Sequence, residues 1–148
     1  MITIQTYTEQ NKADENQKQK ISGFLFQHLE QYGDPETDIK SAINYAMGND
    51  DKPGGIVLTA TDEGNNTLVG AVVINKTGMS GYIPENILVY IATDKNLRGK
   101  GIGKNLMQKA IETSQGDIAL HCEADNPAKH LYEKLGFASK YLEMRLKK

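Results

Sequence analysis

With 148 residues, 39% of them hydrophobic and 24% charged, the chain is long enough to bury a core without metals or disulfides, and it is read as one domain over 1–148. The single cysteine, Cys122, excludes an intramolecular disulfide, and the three scattered histidines give no metal-ligand spacing, so no metal is expected. A formal charge of −2 argues against a general nucleic-acid binder, and no apolar run approaches the roughly 20 residues of a membrane span, so a cytoplasmic protein without nucleic-acid or membrane partners is expected.

Taken in chain order, Ile2 to Tyr7 is β-prone, and after a polar stretch at 10–20 the residues Ile21, Phe24, Leu25, His28 and Leu29 recur at helical spacing up to Tyr32-Gly33. Asp34-Pro35 reads as an N-cap with proline at the first helical position, opening a second helix through Ile39, Ile43 and Met47. Ile56 to Ala60 and Leu68 to Ile74, split by Asp62-Glu63-Gly64-Asn65-Asn66, read as a hairpin, and Ile87 to Ala92 reads as a central strand. Ile102, Leu106 and Ala110 mark one face of a third helix that ends by Gly116. Ile118 to Cys122 is a short strand, Asn126-Pro127 opens a fourth helix ending at Gly136, and Phe137 to Leu146 alternates like a last strand. The order is strand, two helices, three strands, helix, strand, helix, strand, an α/β (α+β) arrangement.

Between the central strand and the third helix stands Leu97-Arg98-Gly99-Lys100-Gly101-Ile102-Gly103-Lys104, three glycines interleaved with three cations. Glycine permits positive φ and close approach of a ligand to the main chain, and the free amides and positive dipole end of the following helix attract phosphate. The Walker spacing fails, because Arg98 stands where its first glycine belongs and Asn105 where its hydroxyl belongs. The dinucleotide pattern fails at Lys104. A solvated basic rim explains the charges but not the glycines between them.

The spacing that does match is Arg-x-x-Gly-x-Gly at Arg98, Gly101 and Gly103, and one helix plus one strand later comes Asn126-Pro127-Ala128-Lys129-His130-Leu131-Tyr132-Glu133-Lys134-Leu135-Gly136-Phe137. Together these segments resemble the coenzyme A loop and final signature of the GNAT superfamily of N-acetyltransferases. The resemblance implies a mixed sheet that splays open between its fourth and fifth strands, here Ile87 to Thr93 and Ile118 to Glu123, flanked by about four helices, with acetyl-CoA in the cleft. It implies that Arg98, Gly99, Lys100, Gly101, Ile102, Gly103 and Lys104 hold the pyrophosphate, and that backbone groups of Ile91, Ala92 and Thr93, with Asn126, meet the pantetheine arm. The family's Asn often lies seven residues before the Tyr; here Asp125 takes that place and Asn126 lies six before, where it also suits a helix cap.

Acetyl transfer to an amine needs a neutral amine, a stabilised oxyanion and a proton for the departing thiolate. An alkylamine has a pKa of ~10.4, a thiol ~8.5 and a phenol ~10, so a tyrosine is protonated at neutral pH and can supply that proton. Tyr132 matches the family's acid. Many relatives carry a strand-four Glu as base, but Val89 occupies that position; Glu85 and Glu123 are the nearest carboxylates, with a water relay as the alternative. Cys122 reads as a small buried hydrophobe rather than a nucleophile. The expected partners are acetyl-CoA and an amine acceptor, in a monomer or homodimer. Glu30, Asp34, Glu36 and Asp38 make the junction of the first two helices acidic, which suits either a cationic amine or a solvated turn. A non-catalytic acetyl-CoA sensor of the same fold is the competing reading.

Overall fold

The computed structural model describes residues 1–148. It runs β1 (Ile2–Tyr7), α1 (Glu15–Leu29), α2 (Glu36–Ala46), β2 (Gly55–Asp62), β3 (Thr67–Lys76), β4 (Asn86–Thr93), α3 (Ile102–Thr113), β5 (Ile118–Leu120) and α4 (Lys129–Lys134). The strands form one sheet in sequential order, antiparallel from β1 to β4, with β5 parallel to β4 across the α3 crossover. No helix is long and apolar enough to cross a membrane.

The polar stretch before the first apolar period is where α1 begins. Asp14 Oδ1 accepts from the Gln17 amide at 2.7 Å while Gln17 Oε1 accepts from the Asp14 amide at 2.8 Å, a reciprocal capping box. The second helix starts differently from the sequence expectation. Pro35 itself is the cap position, with extended ψ and no side-chain bond, and Asp34 is free to bond elsewhere.

Side chains pack on both faces of the sheet. Ile21, Phe24 and Leu25 of α1 and Ile39 and Ile43 of α2 cover Val57, Ala71, Val73, Tyr90 and Ala92 on one face. Ile102, Leu106, Met107 and Ala110 of α3, with Tyr132 of α4, cover Leu58, Ala60, Val72, Ile74 and Leu88 on the other. Two bulges adjust which residues face which layer. In β4, Val73 pairs with Tyr90 but Ile74 pairs with Leu88, so Val89 is an extra residue. Leu88 therefore packs toward α3, whereas Val89 and Tyr90, although adjacent, both pack toward α1 and α2. In β3 the extra residue is Val69, and beyond it Gly70 turns toward α3.

The parallel pairing is short: Asn86, Ile87 and Leu88 pair with Ile118, Ala119 and Leu120, and no pair follows. Its closed end is fastened from β4. The buried Asn86 side chain donates to the Gln115 and Asp117 carbonyls at 2.7 and 3.1 Å, and Glu85 accepts from the Asp117 and Gly81 amides at 2.7 and 3.1 Å. These backbone N–H groups hold the Glu85 carboxyl below its ordinary range. Glu85 was expected at the cleft edge, and this is corrected: the eight residues of β4, at ~3.3 Å each, place it roughly 25 Å from the glycine loop.

The expected last strand does not form. Phe137 packs edge-on against Tyr132 at 6.0 Å, but the chain beyond it joins no sheet, and Tyr141, Leu142, Met144 and Leu146 are all more than 80% exposed. A three-residue β5 offers too short an edge to template a further strand. His121, Cys122 and Glu123 likewise fall just past β5 rather than within it.

Two changes test these assignments. A Cβ on Gly70 would meet Leu106 Cδ1 at 2.6 Å and Ile102 Cγ2 at 3.1 Å, and Leu106 is fully buried, so Gly70→Ala is expected to destabilise by about 1–3 kcal/mol in urea unfolding. Because the Glu85 carboxyl is held low, its contribution is present above the ordinary carboxylate range and lost on acidification, so Glu85→Gln lowers Tm near neutral pH and flattens its acid decline. The same variant retains its turnover, as a residue of the closed end should.

Candidate active site

The glycine loop is shaped by the residue that follows β4. Asp94 extends the ladder by donating its amide to the Val69 carbonyl at 2.9 Å, and its Oδ1 accepts from the Asn96 amide at 2.9 Å, an Asx turn that starts one 3₁₀ turn over Lys95–Leu97. Gly99 and Gly101 then take φ of 85° and 83°, and a Cβ on either would project into open space. Gly101 caps α3 with no side-chain bond to the first-turn amides. Lys100 and Lys104 are exposed beside it. Open glycine backbone, first-turn amides without a side-chain cap, a dipole end and two cations form a cradle that fits a pyrophosphate.

Arg98 is turned partly away from this cradle, toward the end of α1. Its guanidinium donates to the His28 carbonyl at 3.3 Å and to Glu30 Oε1 at 3.1 Å. Glu30 takes a φ of 56°, uncommon for a residue with a side chain. His28 is buried against Phe24, with ring centroids 4.4 Å apart and Nδ1 unpartnered, and desolvation lowers its pKa.

The two sequence motifs meet at Gly103. A Cβ there would lie 3.5 Å from Thr93 Cγ2 and 3.6 Å from Leu131 Cδ2, so the end of β4, the first turn of α3 and α4 converge on one residue. Tyr132, the next residue of α4, is buried in the same layer as Ile102. Burial, with a smaller effect from Cys122, raises its phenol to about 12. Asn126 Oδ1 accepts from the Ala128 amide at 2.9 Å, an Asx turn leading into α4. Glu123 is exposed on the loop after β5, and its carbonyl accepts from the Asn126 amide at 2.9 Å.

Ile91, Ala92 and Thr93 lie past the last pair between β4 and β5, so the edge of β4 facing β5 is open along them. This seam connects the two faces of the sheet, with Tyr132 on the α3 side and Tyr90 on the α1 side. The structure brings Tyr132, the glycine loop and Ile91 to Thr93 toward one place, leaves Glu85 outside it, and adds Tyr90, which the sequence does not single out. Tyr90 Oη donates to Asp34 Oδ2 at 2.5 Å, and Tyr32 Oη donates to the Asp125 carbonyl at 3.3 Å. These bonds join residues 56 and 93 positions apart, and no local pattern announces them. A cavity of about 690 Å³ lies along α1, among Tyr7, Phe24, His28 and Thr59. It does not include the glycine cradle.

Residues 17–137 match the family model described as Acetyltransferase (GNAT) family. A search of curated proteins returns no significant match. Among solved structures, the chain is similar to a putative acetyl transferase from Pyrococcus furiosus, with 24% identity over 99% of each chain and a TM-score of 0.66. It is similar to a chain of the NatC complex bound to Gag peptide and CoA, with 21% identity over 95% of this chain and 86% of that one and a TM-score of 0.72. It is also similar to aminoglycoside N-acetyltransferase AAC(6')-Iy in complex with CoA, with 13% identity over 100% and 95% of the two chains and a TM-score of 0.70. At these identities the solved structures speak to the fold, while the family match covers most of the chain. The chain belongs to the GNAT family of acetyltransferases, which use acetyl-CoA as acyl donor.

Proposed function

We propose that this acetyltransferase moves the acetyl group to a primary amine by direct attack in a ternary complex, within one catalytic unit spanning residues 1–148. The observation that carries the reading is the convergence at Gly103, which sets the phosphate cradle, the open edge of β4 and the helix bearing Tyr132 against one another. Acetyl-CoA, when bound, supplies an activated acyl carbon and a thiol leaving group.

The chain's own residues have separable tasks in this reading. Amides at Gly99 to Lys104, with Lys100, Lys104 and Arg98, receive the pyrophosphate, and the seam edge at Ile91, Ala92 and Thr93 pairs with the pantetheine arm and meets developing oxyanion charge. Asn126 borders that arm from the opposite wall. Tyr132 gives the proton to the departing sulfur; with its phenol raised to about 12, it holds that proton throughout the neutral and mildly alkaline range. β4 carries no carboxylate between Asn86 and Thr93, so proton removal from the amine falls to water, with Glu123 as the flanking carboxylate.

Release of free thiol with a panel of amines tests the reading: turnover supports an N-acetyltransferase, whereas tight acetyl-CoA binding with no release for any acceptor supports a sensor. Tyr132→Phe is expected to lower kcat by about 10²-fold at every pH from neutral to mildly alkaline, with acetyl-CoA affinity by calorimetry unchanged. Equal kcat in the two proteins removes the acid role. Gly101→Ala puts a Cβ at a left-handed position on the cradle and is expected to weaken acetyl-CoA binding about tenfold or more.

A further inference from the structure

The junction between α1 and α2 is tied to three separate parts of the opened seam. Arg98 of the glycine loop holds the His28 carbonyl and the Glu30 carboxylate, Tyr32 bonds the Asp125 carbonyl on the loop after β5, and Tyr90 of β4 bonds Asp34. Residues 28–34 therefore reach both walls of the seam from the face opposite Tyr132. Glu30, with its positive φ, lies within this junction.

The four carboxylates near this junction have different fates. Glu30 is paired with Arg98 at 3.1 Å, and Glu36 lies back against α1, where its Oε2 accepts from Ser22 Oγ at 3.4 Å. Asp38 acts on Tyr90 only through its field. Asp34 alone is fixed to β4, at 2.5 Å from a phenol that lies two residues past the last pair with β5. The Val89 bulge puts that phenol there, since without the extra residue Tyr90 would face α3. Burial and Asp34 itself raise the Tyr90 phenol, so Tyr90 keeps its proton and is the donor in this bond. Asp34 is itself exposed, and its Oδ1 is not used in that bond.

We propose that Asp34, oriented by Tyr90, receives the ammonium group of the acetyl acceptor, so that the acceptor is a cationic alkylamine entering the seam from the α1 and α2 face. This deepens, and rests on, the amine-transfer reading above. Asp34 is the binding residue and Tyr90 a positioning residue. The nitrogen gives up two protons to water as the C–N bond forms and the C–S bond breaks; Tyr132 supplies the proton taken by sulfur and recovers one from that solvent. One proton is thus released for each amide made.

The test compares alkylamines from ethylamine to cadaverine, which are ammonium ions near neutral pH, with O-methylhydroxylamine, which is neutral there. Asp34→Asn is expected to raise KM for the alkylamines about tenfold or more, leaving KM for acetyl-CoA and the rate with O-methylhydroxylamine unchanged. Tyr90→Phe moves the same parameter in the same direction by less. Calorimetric titration of the best alkylamine into the CoA-bound protein shows the same losses, and melting curves confirm that both variants fold. If both folded variants keep the alkylamine KM, or slow charged and neutral amines alike, the inference fails and amine transfer stands. If the native protein releases no thiol with any amine, both fall.

Discussion

Parallel pairing between β4 and β5 covers Asn86 to Leu88 and stops where Val89 adds a residue to β4. A continued ladder would satisfy the edge of β4 from Val89 to Thr93 with backbone partners and leave no gap in the sheet. Stopping it after three pairs opens that edge, and Glu85 and Asn86 keep the gap from spreading by tying the closed end to Gln115 and Asp117. The same bulge decides that Tyr90 turns to the α1 face, while Leu88 and Ile91 stay with α3. One inserted residue thus stands where the pairing ends and distributes side chains between the two faces of the seam.

The donor side of the site follows from backbone more than from side chains. Gly99 and Gly101 adopt φ that other residues reach only with strain, and Gly101 leaves the start of α3 without a side-chain cap. That is unfavourable for an isolated helix and favourable for binding phosphate. Arg98, named for the phosphate by its motif, also reaches the end of α1. The donor loop and the α1–α2 junction are therefore mechanically joined through one guanidinium.

Much of this was legible along the chain because its signals are local. Amphipathic periods located all four helices, and glycine and cation spacing located the cradle. The sequence also carried Leu131-Tyr132, but not the fact that Leu131 abuts Gly103. What it hid depends on contacts between distant positions. The bulge at Val89 sits inside an uninterrupted apolar run and exists only in the register with Val73 and Ile74. Glu85 looked like a cleft carboxylate until the Asp117 and Gly81 amides claimed it. The alternation from Phe137 to Leu146 is a real strand pattern, but β5 is too short to receive it. The start of α1 was obscured because its first turns carry a polar capping box rather than an apolar stripe.

The central claim is that the opened seam and the glycine cradle form one continuous donor site. Amide hydrogen exchange with and without acetyl-CoA tests it most directly. The account predicts protection confined to Val89 to Thr93, Gly99 to Lys104 and the turn at Asn126 to Ala128, with β1 and β2 unchanged. Protection centred instead on the α1 cavity around Tyr7, Phe24 and Thr59, with Val89 to Thr93 unaffected, would contradict it.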